Sequence, residues 1–557
     1  MAMMVRLLGI FILSLLVLGC QKKQEIDLIV FNAQVITLDD ADPEAQAFAV
    51  HYGKIIFTGT NAQVFDRFES QNNLDAQAKT IMPGIIDAHA HFYQLGLGLQ
   101  EVDLRGTTSK EEVIKRISDF VPYQNAEFIV ARGWDQNDWV DQSYPTKEDL
   151  DAVFPEVPVA LQRVDGHALW VNSKALAMAG IDRSVSVAGG MIMGDDWGNP
   201  TGILVDAPCD RVLELVPEPT LEISTQALKS AEQYCFSMGL TGVHDAGLRR
   251  PIIELIDRLQ DTGAFKMKID AMVSNIEPDV SYFMDKGPIV KHRLRVGAIK
   301  VYADGALGSR GAALRAPYSD DPEHFGAIIT PMDELEVLAN RAIQAGFQVN
   351  THAIGDSANV AVLRVYQKTL APFIATQDEN IRWRIEHAQV VPPDYFKVFS
   401  KNIIPSVQPT HVTSDMYWVH ERLGSDRMKG AYAYNSLLTQ AGMLALGTDF
   451  PVEFVNPMFT LSSAVYRRDR SGYPESGFYP DEAITREQAL KGMTLWAAYA
   501  NFSEDQRGSI QPGKDADFIF LDQNPLTCPV EELSEIKVLK TFIDGEQVYE
   551  SEGSFGL

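Results

Sequence analysis

Short apolar runs bounded by turn residues occupy both ends of the chain, while the long middle alternates β-like apolar runs with segments of helical period. Leu28 to Phe31, Val35 to Leu38, Phe48 to His51 and Ile55 to Thr58 read as strands, the last two joined as a hairpin across Tyr52-Gly53-Lys54. Phe518 to Leu521 and Val538 to Ile543 have the same character, and Asp544-Gly545 supplies a turn before Gln547 to Tyr549. These runs predict a small β-sandwich domain assembled from residues 25–83 and 505–552. Residues 84–504 predict a parallel sheet wrapped by helices. Its candidate strands are Ile85 to His89, Phe128 to Ala131, Val157 to Arg163, Gly242 to Asp245, Arg295 to Tyr302, Gln348 to His352, Arg382 to His387, Ile404 to Gln408 and Met443 to Thr448. That is one strand more than a closed eight-stranded barrel needs. Either Phe128 to Ala131 and Val157 to Arg163 share one strand's role, or one of them belongs to an inserted element. Gly189 to Leu204 reads as a hairpin insertion close to the barrel mouth.

At 557 residues the chain exceeds one ordinary core, so a large enzyme fold with an accessory domain, or several smaller domains, is expected. A hydrophobic share of 46% and a charged share of 22% are those of a folded globular protein. The net charge of −27, with no opposing basic cluster, argues against nucleic acid as a partner. Leu7 to Leu18 has the length of a signal-peptide core, behind Arg6 as a thin positive region. Its end, Val17-Leu18-Gly19-Cys20, resembles the bacterial lipobox, which makes residues 1–20 a lipoprotein signal peptide and Cys20 the lipidated residue. The alternative is an uncleaved anchor or a plain secretory peptide. The lipobox resemblance implies a bacterial cell-envelope location, lipid-anchored on the periplasmic face, with membrane contact only through the N-terminal anchor. Gln21 and Lys22 after the cysteine resemble the pattern of lipoproteins sorted to the outer membrane. Cys209, Cys235 and Cys528 lack CxxC spacing and read as buried free thiols.

Candidate chemistry starts at Pro83-Gly84-Ile85-Ile86-Asp87-Ala88-His89-Ala90-His91, a strand running into H-x-H. Two residues apart on an extended chain, His89 and His91 share a face, and at the C-terminal end of a barrel strand that face is the mouth, where both could grip one metal ion. Four further candidate strands end in Lys300, His352, His387 and Asp449. The order HxH, Lys, His, His, Asp resembles the binuclear amidohydrolase superfamily. The phrases Val301-Tyr302-Ala303-Asp304-Gly305-Ala306-Leu307-Gly308-Ser309, Thr351-His352-Ala353-Ile354-Gly355-Asp356 and Ser406-Val407-Gln408-Pro409-Thr410-His411 resemble amidohydrolase family 3, which includes N-substituted formamide deformylases.

That resemblance implies a (β/α)8 TIM barrel of the α/β class and two zinc ions. His89, His91 and Asp449 would hold the more buried ion, and His352 and His387 the more exposed one. Lys300 would bridge them as an N6-carboxylated lysine, since a desolvated neutral amine can take up carbon dioxide. A structural or substrate-contacting Lys300 would leave a one-metal site. Asp449 would also be catalytic, taking a proton from the attacking water and returning it to the leaving nitrogen. His167 and His411 stand in phrases similar to the family's and are substrate-binding candidates. His244 ends a strand near the same mouth, where a structural histidine is equally expected. Trp134, Trp139, Trp170, Trp197 and Trp418 fall on candidate mouth loops; core packing is the default for any one, and convergence of several would favour a bulky N-substituent. The expected function is hydrolysis of non-peptide C–N bonds in a small-molecule amide or N-substituted formamide. The alternatives are a mononuclear deaminase, a lactone or ester hydrolase of the same fold, or a non-catalytic ligand-binding lipoprotein. Homo-oligomer formation is compatible with the sequence.

Overall fold

The structure, a computed structural model, describes residues 23–120, 126–163, 168–187, 190–375 and 380–551. Cys20 and His167 lie outside the described residues. The described residues divide into two compact units, residues 23–92 with 232–551, and residues 93–231.

The first unit is built on eight parallel strands that neighbour one another in chain order: β1 (Ile85–Ala90), β2 (Leu240–Leu248), β3 (Lys268–Ser274), β4 (Leu294–Tyr302), β5 (Gln348–Ala353), β6 (Trp383–His387), β7 (Ile403–Val407) and β8 (Ala445–Leu446). Helices such as Arg250–Asp261, Met332–Ala345 and Asp356–Ile374 make the crossovers. Met332–Ala345 shows the local logic: Leu335, Leu338, Ala339 and Ala342 recur at helical spacing and form its buried face, and Gly346, at φ +78°, ends it in the left-handed conformation. The circle closes where the Asp449 N–H donates to the His89 carbonyl and the His91 N–H to the Phe450 carbonyl, both at 2.8 Å. The fold is therefore the α/β-class TIM barrel, and the C-terminal ends of β1 and β8 meet at the mouth.

Two sheets made from both chain ends complete this unit. One carries Leu28–Phe31, Ala47–His51, Lys54–Gly59 and Asn73–Asp75; the other includes Gln34–Ile36, Thr80–Pro83, Phe518–Leu521, Val538–Ile543 and Glu546–Glu550. Leu28, Val30, Phe48 and Val50 face Ile81, Phe518, Phe520 and Phe542 across a shared core, which is a β-sandwich.

One barrel strand differs from expectation. Phe128 to Ala131 and Val157 to Arg163 are not barrel strands; they pair with each other in a separate five-stranded sheet of the second unit, with Ala168–Val171, Pro200–Asp206 and Gly190–Gly194. The strand that replaces them is β3, whose sequence Lys268-Ile269-Asp270-Ala271-Met272-Val273-Ser274 hides a barrel strand behind two charged residues. Both are buried, and the Lys268 ammonium sits 2.8, 2.7 and 2.9 Å from carboxylate oxygens of Asp515, Asp517 and Asp544. His292, Asp515 and Asp544 cluster as a metal site would, but this lysine already supplies the cation.

Burial alone would raise the Asp515 and Asp544 carboxyls, yet Lys268, with Lys54 beside Asp515 and His292 and Arg293 beside Asp544, outweighs it and holds both below the ordinary carboxylate range. Burial prevails at Asp517 and raises it. Lys268→Met is therefore expected to cost about 3–5 kcal/mol near neutral pH, because it leaves buried carboxylates uncompensated. The stabilisation of the two depressed carboxylates is present above their unfolded pKa and lost as pH falls through the folded one. Urea unfolding of both proteins should show the gap narrowing below about pH 4; a gap that is constant with pH would assign the loss to packing alone.

The second unit has its own core. Trp134, Trp139 and Trp170 converge there with ring centroids 6.0 to 6.4 Å apart, all buried, and the Trp134 and Trp170 indole N–H groups donate to the Leu161 and Thr146 carbonyls. Their convergence is packing; Trp197 is 80% exposed. Cys209, Cys235 and Cys528 are buried. Among the described residues no helix is long and apolar enough to cross a membrane.

Candidate metal centre

Every described residue of the expected ligand set comes to the barrel mouth. His89 Nε2 lies 3.3 Å from Lys300 Nζ and 3.6 Å from Asp449 Oδ1, and His91 Nε2 is 3.1 Å from the same Asp449 oxygen. The His387 ring centroid is 4.9 Å from that of His89 and 4.4 Å from that of His352. One ligand atom each from His89, His387 and Asp449 can be drawn from within 4.8 Å. His411 joins them, with Nε2 3.3 Å from Asp449 Oδ2 and Nδ1 3.1 Å from Glu453 Oε1.

The backbone bends to make this possible. On β6, Arg384 and Glu386 face inward, so strict alternation would turn His387 away; His387 instead adopts φ +70° and returns its ring to the mouth. Asp449 is likewise left-handed, at φ +64°. Non-glycine residues in this region cost about 1–3 kcal/mol each, and here they turn two candidate ligands to the mouth. At Gly447, an added Cβ would sit 2.5 Å from the His89 nitrogen, so only glycine lets β8 approach β1. Asp87 ties the same two strands, accepting from the Thr448 hydroxyl at 2.6 Å and N–H at 3.1 Å and from the His89 N–H at 3.0 Å; burial nonetheless pushes its carboxyl up to about 7. Asp304 performs the corresponding task near His352, accepting from the Ala313, Ile354 and Gly355 N–H groups.

Beneath the ligands runs a buried polar chain. His89 Nδ1 is 2.5 Å from Glu386 Oε2. Glu386 in turn pairs with Arg384 at 2.7 Å, and Arg384 reaches His244 Nδ1 at 2.9 Å, the Ser406 hydroxyl at 2.9 Å and the Ala88 carbonyl. Burial opposes ionisation of Glu386, but Arg384 and His89 outweigh it and hold its carboxyl far below the usual range. A carboxylate at Nδ1 makes that nitrogen the donor and leaves the Nε2 lone pair for a ligand. His244 is thus a buried structural partner; burial and the Arg384 charge keep it neutral.

The donor chemistry fits a divalent cation. Burial, with the Lys300 charge, lowers His89 to about 4 and His352 to about 3; burial and the neighbouring His352 and His89 rings hold His387 well below the ordinary histidine range, so all three imidazoles are neutral at physiological pH. His387 Nδ1 is buried without a hydrogen-bond partner among the described residues, as a metal-facing nitrogen would be, while His352 Nε2 lies 3.6 Å from Asp304 Oδ1. Burial brings Lys300 down to about 8 against the pull of Glu386 and Asp449, so a fraction is the free amine at neutral pH. His411 is the opposite case: burial disfavours its charge, yet its bonds to Asp449 and Glu453 raise it to about 10, so it is an imidazolium. Asp449, despite burial, is held well below the carboxylate range by His411 and His91 and is ionised.

A TIM barrel whose mouth gathers neutral histidines, an ionised aspartate and a desolvated lysine defines a metal-dependent hydrolase. The chain belongs to the amidohydrolase family, whose model, described as "Amidohydrolase family", matches residues 73–549. It is 34% identical over 544 residues to Protein LONG AFTER FAR-RED 3 of Arabidopsis thaliana, covering 94% of this chain and 91% of that one. It is 28% identical over 549 residues to the N-substituted formamide deformylase of Arthrobacter pascens, covering 95% of this chain and 99% of that one. Among solved structures, an uncharacterized metal-dependent hydrolase from Pyrococcus furiosus matches with a TM-score of 0.75 at 26% identity, covering 90% of this chain and 100% of that chain.

Glu386, Arg384, Asp87, Asp304 and Glu453 were not singled out from the sequence. Asp87, two residues before His89, and Glu386, next to His387, were the accessible clues. An acidic neighbour of a ligand has no distinctive spacing, and the alternation rule aims Glu386 away from the face of His387 until the left-handed turn is known.

Proposed function

We propose that this metal-dependent amidohydrolase hydrolyses non-peptide C–N bonds of amides or N-substituted formamides. The observation that carries this reading is an ionised Asp449 3.1 Å from His91 and gathered with the neutral, buried His89, His352 and His387 at one barrel mouth. His89, His91 and Asp449 would hold one zinc ion, His352 and His387 a second, and Lys300, once carboxylated by carbon dioxide with loss of a proton, would bridge them. When bound, the metal supplies Lewis acidity that lowers the pKa of water and polarises a carbonyl.

The remaining work falls to the chain. Asp449 Oδ1 faces His89 and His91, so Oδ2 is the oxygen that accepts the water's proton and later delivers it to the departing nitrogen. The His411 imidazolium holds Glu453 with Nδ1–H and Asp449 Oδ2 with Nε2–H, so its positive charge lies beside the reacting centre, and Nε2–H could serve the carbonyl oxygen only by leaving Asp449 as Oδ2 takes the water's proton. Glu386 orients His89, and Arg384 keeps Glu386 ionised. The relative named N-substituted formamide deformylase supports an amide-type substrate.

The test is a panel of N-formyl amines, N-acyl amines, lactones and free amines presented to the metal-loaded protein. Amine release from the amides, above lactone opening and above ammonia release from amines, is expected. Ammonia release alone would make the protein a deaminase, and lactone opening alone would move the reading to ester chemistry.

A further inference from the structure

We propose that a cavity beside the metal centre, bordered by Arg468 and Arg470, binds a carboxylate carried by the substrate, so that acidic N-acyl compounds are preferred. The inference rests on the amide-hydrolysis reading above and narrows its substrate class. The cavity encloses about 250 Å³ and runs from Thr410 and Glu453, past Phe454 and Phe459, to the two arginines. Glu453 fixes its place: Oε1 contacts His411 Nδ1 at 3.1 Å, and the same ring reaches Asp449. A molecule in this cavity is therefore one side chain away from the reacting centre.

The acidic groups around it are already engaged. Glu453 accepts from the Ser414 hydroxyl at 2.6 Å as well as contacting His411. Asp469 accepts from the Ser471 N–H and hydroxyl, the Tyr473 N–H and the Tyr417 hydroxyl. The guanidinium groups meet no carboxylate among the described residues. Arg468 forms no hydrogen bond or ion pair among the described residues, and its Nε is buried without a partner. Arg470 only lies over Phe459 and Phe454, at 4.6 and 5.8 Å. Acidic residues outnumber basic ones by 75 to 48 in the chain, and Arg468 still has no carboxylate partner among the described residues. Thr410, 5% exposed, adds a buried hydroxyl without a partner on the same wall.

A carboxylate matches the guanidinium fork in geometry and charge, and the two phenyl rings suit an apolar body attached to it. The reaction would be the addition of water across the amide of such an acid: the C–N bond breaks, a C–O bond forms, and the released amine takes the proton, giving a carboxylate and a free amino compound.

The test compares formate release from N-formylphenylalanine and from N-formylphenylalaninamide by the metal-loaded wild type, Arg468→Gln and Arg468→Lys. It also measures calorimetric binding of 4-phenylbutyrate, which has no bond to cleave. The wild type should favour the acid about ten- to a hundredfold in kcat/KM, mainly through KM. Arg468→Gln should bring the ratio near one, with Arg468→Lys between. Hydrolysis of both compounds at equal kcat/KM by the wild type, or a preference that survives Arg468→Gln, overturns the carboxylate site and leaves the amide reading standing. Hydrolysis of neither, with 4-phenylbutyrate binding that disappears in Arg468→Gln, keeps the anion site and removes the amide reading. Neither hydrolysis nor Arg468-dependent binding overturns both.

Discussion

Asp449→Asn should retain its metal and lose turnover by about 10²-fold or more. The substitution is matched to the site. Asparagine occupies the left-handed region as readily as aspartate, so the φ of +64° that aims this residue survives. Its carbonyl oxygen can still accept from His411 or face His91. What disappears is the negative charge, and with it a group able to take a proton from water and return it to nitrogen. Steady-state kinetics on protein of verified metal content and unchanged melting temperature measures this. Turnover within a few-fold of wild type in a fully metallated variant would remove Asp449 from proton transfer and leave it as a ligand only.

Glu386→Gln carries the second large effect, at a residue with no exposed surface. A glutamine cannot replace every contact: Oε2 faces both His89 Nδ1 and an Arg384 N–H while Oε1 faces the Arg384 Nε–H, so whichever way the amide turns its NH2 group meets a donor and the charge that balances Arg384 is lost. The expected results are a loss of about 3 kcal/mol in stability of the metal-free protein, from an uncompensated Arg384, and a 10- to 100-fold weaker metal affinity, from a His89 ring no longer fixed in orientation and tautomer. Thermal unfolding reads the first and chelator competition on the folded fraction reads the second. A fall in stability with unchanged metal affinity would confine Glu386 to packing and remove its role in orienting His89.

The residues easiest to read from the sequence were those whose chemistry sits at strand ends. His89 and His91 share a spacing that puts both on one face, and Lys300, His352, His387 and Asp449 each close an apolar run, so the barrel and its mouth emerged together. The difficulty lay where burial and polarity coincide. Lys268 and Asp270 disguise β3 because both are buried, and the partners that neutralise Lys268, Asp515, Asp517 and Asp544, are distant in sequence. Trp134, Trp139 and Trp170 suggested mouth loops because an aromatic looks alike in a core and a pocket wall until its neighbours are known. The five-stranded sheet of residues 93–231 competed for barrel strands because a buried strand reads the same whichever sheet it joins. Arg468 was invisible for a related reason: its significance is the absence of a partner, which no spacing reports.

The central claim is that Lys300 and five other side chains form a two-metal centre, and the most direct test is the metal content of the purified protein by mass spectrometry. Two zinc ions per chain, falling to one or none in Lys300→Ala, is the result expected of a bridging carboxylated lysine. One ion per chain in the wild type after reconstitution with excess zinc and bicarbonate, unchanged in Lys300→Ala, would contradict it.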